Sequence, residues 1–244
     1  MRATLLCLLA ATALRADALS DLRTALQRLQ GREPIKARAE IAKLTQNGGG
    51  KKAKTKQSRG SVMLEDGPVG LRLGWSAEQL EAARQETRRQ KADPEAATPN
   101  LDSLRALNAE EAAEMLGASP GLLVKLGNAR VLEERQEAFG GRPARLLLLQ
   151  LEPVLDAEAK DMMKKYDQRL KVWVDADGTP LATEESLEFK GSKFLISFGG
   201  AAKEHCTYRR VGGRLVAECT TKESSGSGMG FSSSGRTVVA LTVM

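Results

Sequence analysis

Residues 206–219, CTYRRVGGRLVAEC, predict an antiparallel hairpin, and the other predicted strands lie on both sides of it in the sequence. Two adjacent glycines lie at its centre, and glycine accepts the positive φ angles of a two-residue hairpin turn. In that register Cys206 faces Cys219 as a non-hydrogen-bonded pair, with Cα atoms ~4.5 Å apart. A disulfide accepts that separation. We therefore expect a Cys206–Cys219 disulfide, with two reduced buried cysteines as the alternative.

Further strands are predicted on both sides of this hairpin, because apolar residues alternate between glycine-bearing turns. They cover residues 35–45, 59–65, 69–75, about 130–138, 143–151, 170–174 and 237–243. The second and third of these strands are expected to turn about Asp66-Gly67, so that Leu64 faces Val69. The Gly/Ser-rich stretch 224–235 is interpreted as the connection to the last strand.

Another hairpin is predicted directly upstream of the first, where residues 181–190 and 193–198 flank a Gly-Ser turn. Its register pairs large apolar side chains across the two strands: Phe189 with Phe194, and Leu187 with Ile196. Cross-strand pairs of this kind stabilise a sheet and predict an apolar face.

Helices are predicted at the start of the chain and in its middle. Leucines at positions 19, 22, 26 and 29 form a stripe of helical spacing that ends at Gly31. Residues 76–127 form a helical insertion, in which Ser76 is expected to cap a helix with Gln79 at the capping-box position. About eleven strands together with these helices make an α+β fold with a large antiparallel sheet.

Residues 1–18 have the pattern of a secretory signal peptide. A positive start precedes the apolar run 4–14, TLLCLLAATAL, and Ala16 and Ala18 occupy the −3 and −1 positions of a cleavage site. The run is too short to span a bilayer. A buried amphipathic helix is the alternative. We expect a soluble periplasmic protein in which residues 19–244 form one domain.

The chain carries 37 lysines and arginines against 31 aspartates and glutamates, a formal net charge of +6. This excess is mild, and no arginine–aromatic interleaving indicates nucleic-acid binding. The basic residues concentrate between positions 46 and 58, at Lys51, Lys52, Lys54 and Lys56. Such a segment suits peripheral contact with an anionic membrane, and a solvated mobile loop is the alternative.

The chain lacks the residue patterns of common catalytic and metal sites. His205 is the single histidine, and strand alternation places it on the opposite face from Cys206. No serine lies in a G-x-S-x-G elbow, and residues 175–178 lack the glycine and glutamate spacing of a calcium loop. We therefore expect no enzymatic activity, no cofactor and no metal site.

Two motifs resemble those of a known family. VWVD at 172–175 is followed by GTPL at 178–181, and RGSVMLEDGPVGLRLGWS at 59–76 lies far upstream. In this order they resemble the periplasmic lipoprotein-carrier superfamily, which includes LolA-like carriers and RseB-like sensors. The resemblance implies an open, strongly curved antiparallel half-barrel, covered by helices over an apolar cavity for acyl chains.

One face of the curved sheet should line such a cavity. Alternation places seven apolar residues beside apolar cross-strand partners, and these are the expected lining: Leu71, Leu73, Trp173, Leu187, Phe189, Phe194 and Ile196. The alternative is a filled core beneath the N-terminal helix. We expect an exported binding protein that holds a lipid or an acylated envelope partner. The alternative is an envelope sensor or protein-interaction module of the same fold without stable cargo.

Overall fold

The computed structural model describes residues 18–48, 54–152, 161–193, 196–228 and 230–244. Its strands are β1 (Ile35–Asn47), β2 (Lys54–Gly67), β3 (Gly70–Trp75), β4 (Ala129–Phe139), β5 (Arg142–Leu151), β6 (Met163–Val174), β7 (Pro180–Lys193), β8 (Ile196–Val211), β9 (Arg214–Gly228) and β10 (Phe231–Val243). Its helices are α1 (Ala18–Arg28), α2 (Ala77–Ala92), α3 (Pro99–Leu104), α4 (Ala109–Leu116) and α5 (Ser119–Gly127).

The strands form one curved, unclosed antiparallel sheet in the order β3-β2-β1-β10-β9-β8-β7-β6-β5-β4. The predicted α+β fold, with an open curved sheet, an N-terminal helix and a helical insertion, is confirmed. The described ranges contain ten strands, where about eleven were expected.

The helices pack on one side of the sheet, called here the helix-covered face. In β1, Ile35, Ala37, Ala39 and Ile41 are buried, whereas the residues between them are exposed. Because side chains alternate between the two faces of a strand, this pattern directs one face of β1 to the core. From Lys43 onward the residues on the same face are at most partly buried. The helices therefore cover only one end of this face.

The uncovered end of the sheet, called here the tip end, is where three hairpins turn. These are β1–β2, β7–β8 and β9–β10. Asn47 pairs with Ser233, and both Phe231 and Phe198 pair with Gly228. The register thus places the three tips side by side.

Two cores lie between the helices and the sheet. In the first, α1 and α5 pack on β5 and β6, and the predicted leucine stripe is buried there: Leu19, Leu22, Leu26 and Leu29. In the second, α4 packs with β1, β2, β9 and β10, and both Leu64 and Leu116 are fully buried. Each buried leucine contributes ~1.5–3 kcal/mol relative to an exposed one.

The helical insertion begins and continues at the predicted residues. The Ser76 side chain accepts a hydrogen bond from the backbone N–H of Gln79 at 3.1 Å and so caps α2. Asn108 and Glu111 form a reciprocal capping box at the start of α4. These local signals are sufficient to define where the helices start.

The hairpin β2–β3 turns later than predicted. Leu64 faces Leu73 rather than Val69, and the turn consists of Pro68 and Val69. Proline lacks the N–H that a ladder position donates, whereas its fixed φ suits a turn. Gly70 adopts a φ of +92° directly after it. The expected turn two residues earlier is therefore wrong.

The hairpin β7–β8 is also longer than predicted. Lys193 pairs with Ile196, and Leu187 faces Ala202. The expected Leu187–Ile196 pair and the expected turn at 191–192 are therefore wrong. A glycine next to a serine is compatible with a turn, but here both residues continue the strand.

Glycines in this hairpin provide space for aromatic rings. Phe189 faces Gly200, and not Phe194, which lies outside the described residues. A Cβ at Gly200 would lie 2.9 Å from the Phe189 ring, and a Cβ at Gly191 would lie 2.5 Å from the Phe198 ring. The two rings therefore pack directly on neighbouring backbone, which any larger residue would prevent.

The predicted register is wrong at the two cysteines, because β9 contains a bulge. The pairing shifts at Glu218, so that Cys219 faces Thr207 and Cys206 faces Thr220. Cys206 consequently points to the helix-covered face and Cys219 to the opposite face. Both thiols are free, so the predicted disulfide is not formed.

Three other predictions can be placed. The Gly/Ser-rich stretch 224–235, expected as a connection, instead belongs largely to the hairpin β9–β10. The predicted signal peptide, apart from Ala18, and the predicted membrane-contact residues Lys51 and Lys52 lie outside the described residues. Among the helices in the described ranges, none has the length and apolar character needed to cross a bilayer.

Candidate functional site

A cleft lies between α4, α5 and the helix-covered face of β8, β9 and β10, and we call it the α4–α5 cleft. Its volume is about 70 Å³. Its apolar walls include Leu107, Met115, Leu122, Ala217 and Val239. Its polar lining includes Glu111, Lys125, Glu204, Cys206, Tyr208, Thr220 and Lys222. The cleft thus combines apolar contact with titratable groups.

The cleft opens onto the uncovered part of the helix-covered face. A hollow of about 580 Å³, called here the trough, lies on that part and shares Glu204, Lys222 and Thr237 with the cleft. Polar and small residues dominate the rest of its lining, among them Lys43, Thr45, Glu185, Ser224 and Gly235. A ligand in the trough would therefore meet hydrogen-bonding groups before it reached the apolar walls.

Cys206 is a buried thiol at the floor of the cleft. Its Sγ donates a hydrogen bond to Glu204 Oε1 at 3.4 Å and lies 3.4 Å from Thr220 Oγ1. Burial raises the pKa of this thiol to about 11, with a smaller opposing effect from Thr220 and a reinforcing one from the Glu204 charge. At neutral pH the thiol is protonated, so it lacks the thiolate that nucleophilic attack or metal ligation requires.

Tyr208 lies next to Cys206 on the same face. Its hydroxyl lies 2.9 Å from Thr183 Oγ1 on β7. Burial raises the pKa of the Tyr208 phenol well above its ordinary value, with a further contribution from the nearby thiol. The phenol therefore stays neutral and acts as a hydrogen-bonding group.

Two ion pairs join the helices to the sheet around the cleft. Lys125 of α5 donates to Glu185 of β7 at 2.6 Å, and Lys222 of β9 donates to Glu111 of α4 at 2.7 Å. Burial lowers the pKa of each lysine, but the paired carboxylate and Glu204 together raise it further than burial lowers it. Both lysines therefore remain charged and hold α4 and α5 over the sheet.

The donor groups near the cleft do not form a metal site. Within the part of the chain that the structure describes, no three His, Cys, Asp or Glu side chains group in the way a metal ion needs. His205 lies on the opposite face of β8, with its ring centroid 6.5 Å from that of Phe139. The cleft can offer hydrogen bonds, charge and apolar contact to a ligand.

The predicted lining residues do not lie together. Leu71 and Leu73 lie on β3, partly buried against the second core. Leu187 and Phe189 lie on β7, six strands away in the sheet order. At ~4.8 Å between neighbouring strands, that separation is roughly 29 Å along the sheet. Of these four residues, Leu187 lines the trough.

The other predicted lining residues lie elsewhere. Trp173 is on the opposite face, where its indole N–H donates to Glu137 Oε1 at 2.9 Å and its ring lies 5.4 Å from that of Phe139. Ile196 is 43% exposed at the tip end. Phe194 lies outside the described residues.

Sequence reasoning missed the cleft because its groups come from distant parts of the chain. Glu111 and Lys125 belong to the helical insertion, and periodicity does not specify which strands a helix covers. Cys206 was assigned to a disulfide that a one-residue bulge prevents. The one local signal is Glu218, which interrupts the apolar run LVA before Cys219.

The solved structures to which this chain is similar include the two described here, and the comparisons show no family. No family model and no curated protein matches this chain. A DUF1329 family protein from Desulfovibrio piger is 11% identical over 92% of this chain and 90% of that chain, with a TM-score of 0.30. MucB in complex with MucA(peri) is 10% identical over 93% of each chain, with a TM-score of 0.18. The chain is similar to both over most of its length, but these TM-scores support no argument about family or function.

Proposed function

We propose that this chain is an exported, non-enzymatic binding protein of the periplasm that holds a segment of a protein partner in the trough and the α4–α5 cleft. The observation that supports this proposal is an apolar cleft that opens directly into a polar trough on an uncovered sheet face. Export rests on the signal-peptide pattern of residues 1–18.

The size and polarity of the site favour a protein segment over an acyl chain. A pocket for an acyl chain or a drug-sized ligand needs ~300 Å³ or more, whereas the cleft measures about 70 Å³. The larger trough is lined by hydroxyl, amine and carboxylate groups. An acyl chain would displace water from these groups without replacing its hydrogen bonds, at a cost in free energy, whereas a polypeptide backbone can replace them.

The chemistry of the cleft supports a non-enzymatic role. The thiol of Cys206 is protonated at neutral pH, since its pKa is about 11. The single histidine, which could have activated it as a general base, lies on the other face of β8. Both cleft lysines are engaged in ion pairs, Lys125 with Glu185 and Lys222 with Glu111.

Two glycines of α5 offer a matched test of the proposed site. Gly121 lines the cleft, and a Cβ there would come no closer than 3.8 Å to Glu114 Oε1. A Cβ at Gly127 would meet no heavy atom within 4 Å. Gly121→Leu should fill the mouth of the cleft, whereas Gly127→Leu should leave it open. Leucine favours a helix more than glycine does, so both variants should fold.

Native mass spectrometry of the protein purified from its own periplasm would measure what it holds. We expect a co-purifying polypeptide with the wild type and with Gly127→Leu, and at least a tenfold smaller bound fraction with Gly121→Leu, which corresponds to ~1.4 kcal/mol. A bound lipid in place of the polypeptide would establish the carrier function instead. Equal binding by both variants would show that the cleft is not the site.

A further inference from the structure

Aromatic residues concentrate at the tip end of the sheet. Three phenylalanines of the described residues lie in the strands of the hairpins that meet there: Phe189, Phe198 and Phe231. Of these, Phe189 and Phe198 pack on glycines of the neighbouring strands. Phe231 is 78% exposed. The packed rings stiffen the tip end, and Phe231 projects from it into solvent.

A second exposed apolar side chain lies near Phe231. Ile196, 43% exposed, begins β8 two residues before Phe198, and Phe198 and Phe231 both pair with Gly228 of β9, which lies between them. The neighbouring hairpins β7–β8 and β9–β10 therefore each carry an exposed apolar side chain at the same end of the sheet. Large exposed apolar side chains at adjacent tips usually indicate an interaction surface.

Lysines surround these apolar side chains. At the tip end β2, β6 and β7 carry six of them: Lys54, Lys56, Lys164, Lys165, Lys190 and Lys193. The carboxylates nearby are Glu95, Asp161, Asp167 and Glu188, of which Glu95 pairs with Lys54 and Glu188 with Lys165, while Asp167 pairs with Arg169 further back on β6. Six lysines against four carboxylates leave an excess of two positive charges at the tip end.

We propose that the tip end is a membrane-contact surface that docks on an anionic phospholipid bilayer. Phe231 and Ile196 would enter the boundary between headgroups and acyl chains, and the lysines would lie at the level of the phosphates. This inference goes beyond the proposed partner site, which comprises the α4–α5 cleft and the trough, and does not depend on it.

The arrangement of charge and apolar surface favours a bilayer as the occupant. Ile196 and Phe231 lie at the extreme of the hairpins, with Lys193 level with Ile196, and Lys56 and Lys190 lie further back along the strands. A bilayer presents the complementary order, with apolar material inside and anionic groups outside. Lysine stems also extend along such a boundary with the ammonium group in water.

Vesicle sedimentation of the purified full chain would test this surface. The vesicles contain phosphatidylcholine alone, or phosphatidylcholine with about one third phosphatidylglycerol. We expect binding to the anionic vesicles only. Phe231→Ser should weaken it roughly tenfold, because most of one phenylalanine side chain no longer enters the boundary. Val124→Ser is the matched control, since Val124 is also 78% exposed but lies on α5.

A second pair of variants tests the charges. Lys56→Gln with Lys190→Gln should weaken binding by about fivefold for each lysine removed. Lys36→Gln with Arg142→Gln removes the same charge at the opposite end of the sheet and should leave binding unchanged. The proposal is wrong if anionic vesicles are not bound, or if Phe231→Ser behaves as Val124→Ser does. Self-association that requires Phe231 and occurs without vesicle binding would also overturn it.

The two proposals can fail independently. Gly121→Leu, which fills the α4–α5 cleft, should bind vesicles as the wild type does. Phe231→Ser should retain the periplasmic polypeptide. Loss of vesicle binding in Gly121→Leu would contradict the membrane proposal, because Gly121 lies on α5, away from the hairpin tips.

Discussion

At the scale of single residues, the two cysteines differ because of one extra residue in β9. Cys206 points into the cleft by the regular alternation of β8, whereas the bulge at Glu218 turns Cys219 to the opposite face. Cys206 is 6% exposed and cannot ionise without charging a buried site. Its burial therefore makes the stability of the cleft sensitive to alkaline pH.

The free energy of unfolding should fall as the pH rises from about 8.5 to about 11, and ionisation of Cys206 should cause part of this fall. The pKa of Cys206 is raised to about 11 in the folded protein. A group with a raised pKa contributes stability that is complete below its unfolded pKa and is lost as the pH rises through its folded pKa. The expected loss from this thiol is on the order of 3 kcal/mol.

Denaturant titrations at several pH values would measure this effect. Cys206→Ala should flatten the alkaline fall in the free energy of unfolding, and Cys219→Ala should not. Tyr208 and the two cleft lysines also have raised pKa values, so part of the fall should remain in both variants. An unchanged pH dependence in Cys206→Ala would contradict the prediction.

At the scale of elements, the helical insertion depends on a buried carboxylate. Glu86 of α2 is 2% exposed. It accepts hydrogen bonds from the backbone N–H of Leu101 at 2.8 Å and from the side chain and backbone of Asn100 at 2.7 and 3.2 Å. These donors lie in the first turn of α3, where N–H groups have no partner within the helix. Glu86 therefore joins α2 to α3 and caps the N-terminus of α3.

Glu86→Ala should destabilise the protein by ~1–3 kcal/mol, because it leaves buried N–H groups unpaired. Glu81→Ala on the same helix removes an exposed carboxylate and should change stability by less than ~0.5 kcal/mol. Urea unfolding of the two variants would give both values. Equal effects would show that the Glu86 hydrogen bonds contribute nothing specific.

The elements also show what the sequence could predict. Helix starts were predicted correctly where a single residue determines them, as Ser76 and Asn108 do through their caps. Hairpin registers were not predicted correctly. The alternation of apolar and polar residues stays the same when a turn moves by two residues, as the β2–β3 turn does from Asp66-Gly67 to Pro68-Val69. The site was missed for a related reason: its groups meet through packing of helices on strands, which leaves no local pattern.

At the scale of the whole molecule, one sheet joins two cores. Tyr208 packs against both of them. The strands β9 and β10 continue the ladder between the halves without interruption. We therefore expect the described part of the chain to unfold as one cooperative unit.

The two tryptophans can test this cooperativity. Trp75 packs against the second core, and Trp173 lies across the sheet from it on β6. The fluorescence of Trp75→Phe reports on Trp173, and that of Trp173→Phe reports on Trp75. Within each variant, the unfolding midpoint from fluorescence should equal the midpoint from circular dichroism. Midpoints that differ between fluorescence and circular dichroism in either variant would indicate that the halves unfold separately.

The open sheet leaves its edge strands exposed to pairing with other chains. Because the sheet does not close, β4 is an edge strand whose outer backbone groups are available to another chain. Its ladder is interrupted between Val131 and Glu133, and Arg135 forms ion pairs with Glu133 and Glu137 at 2.6 and 2.8 Å. An approaching copy would have to strip water from these charges and match an irregular ladder. The charged and irregular edge of β4 therefore disfavours pairing with a second copy, although the sheet stays open.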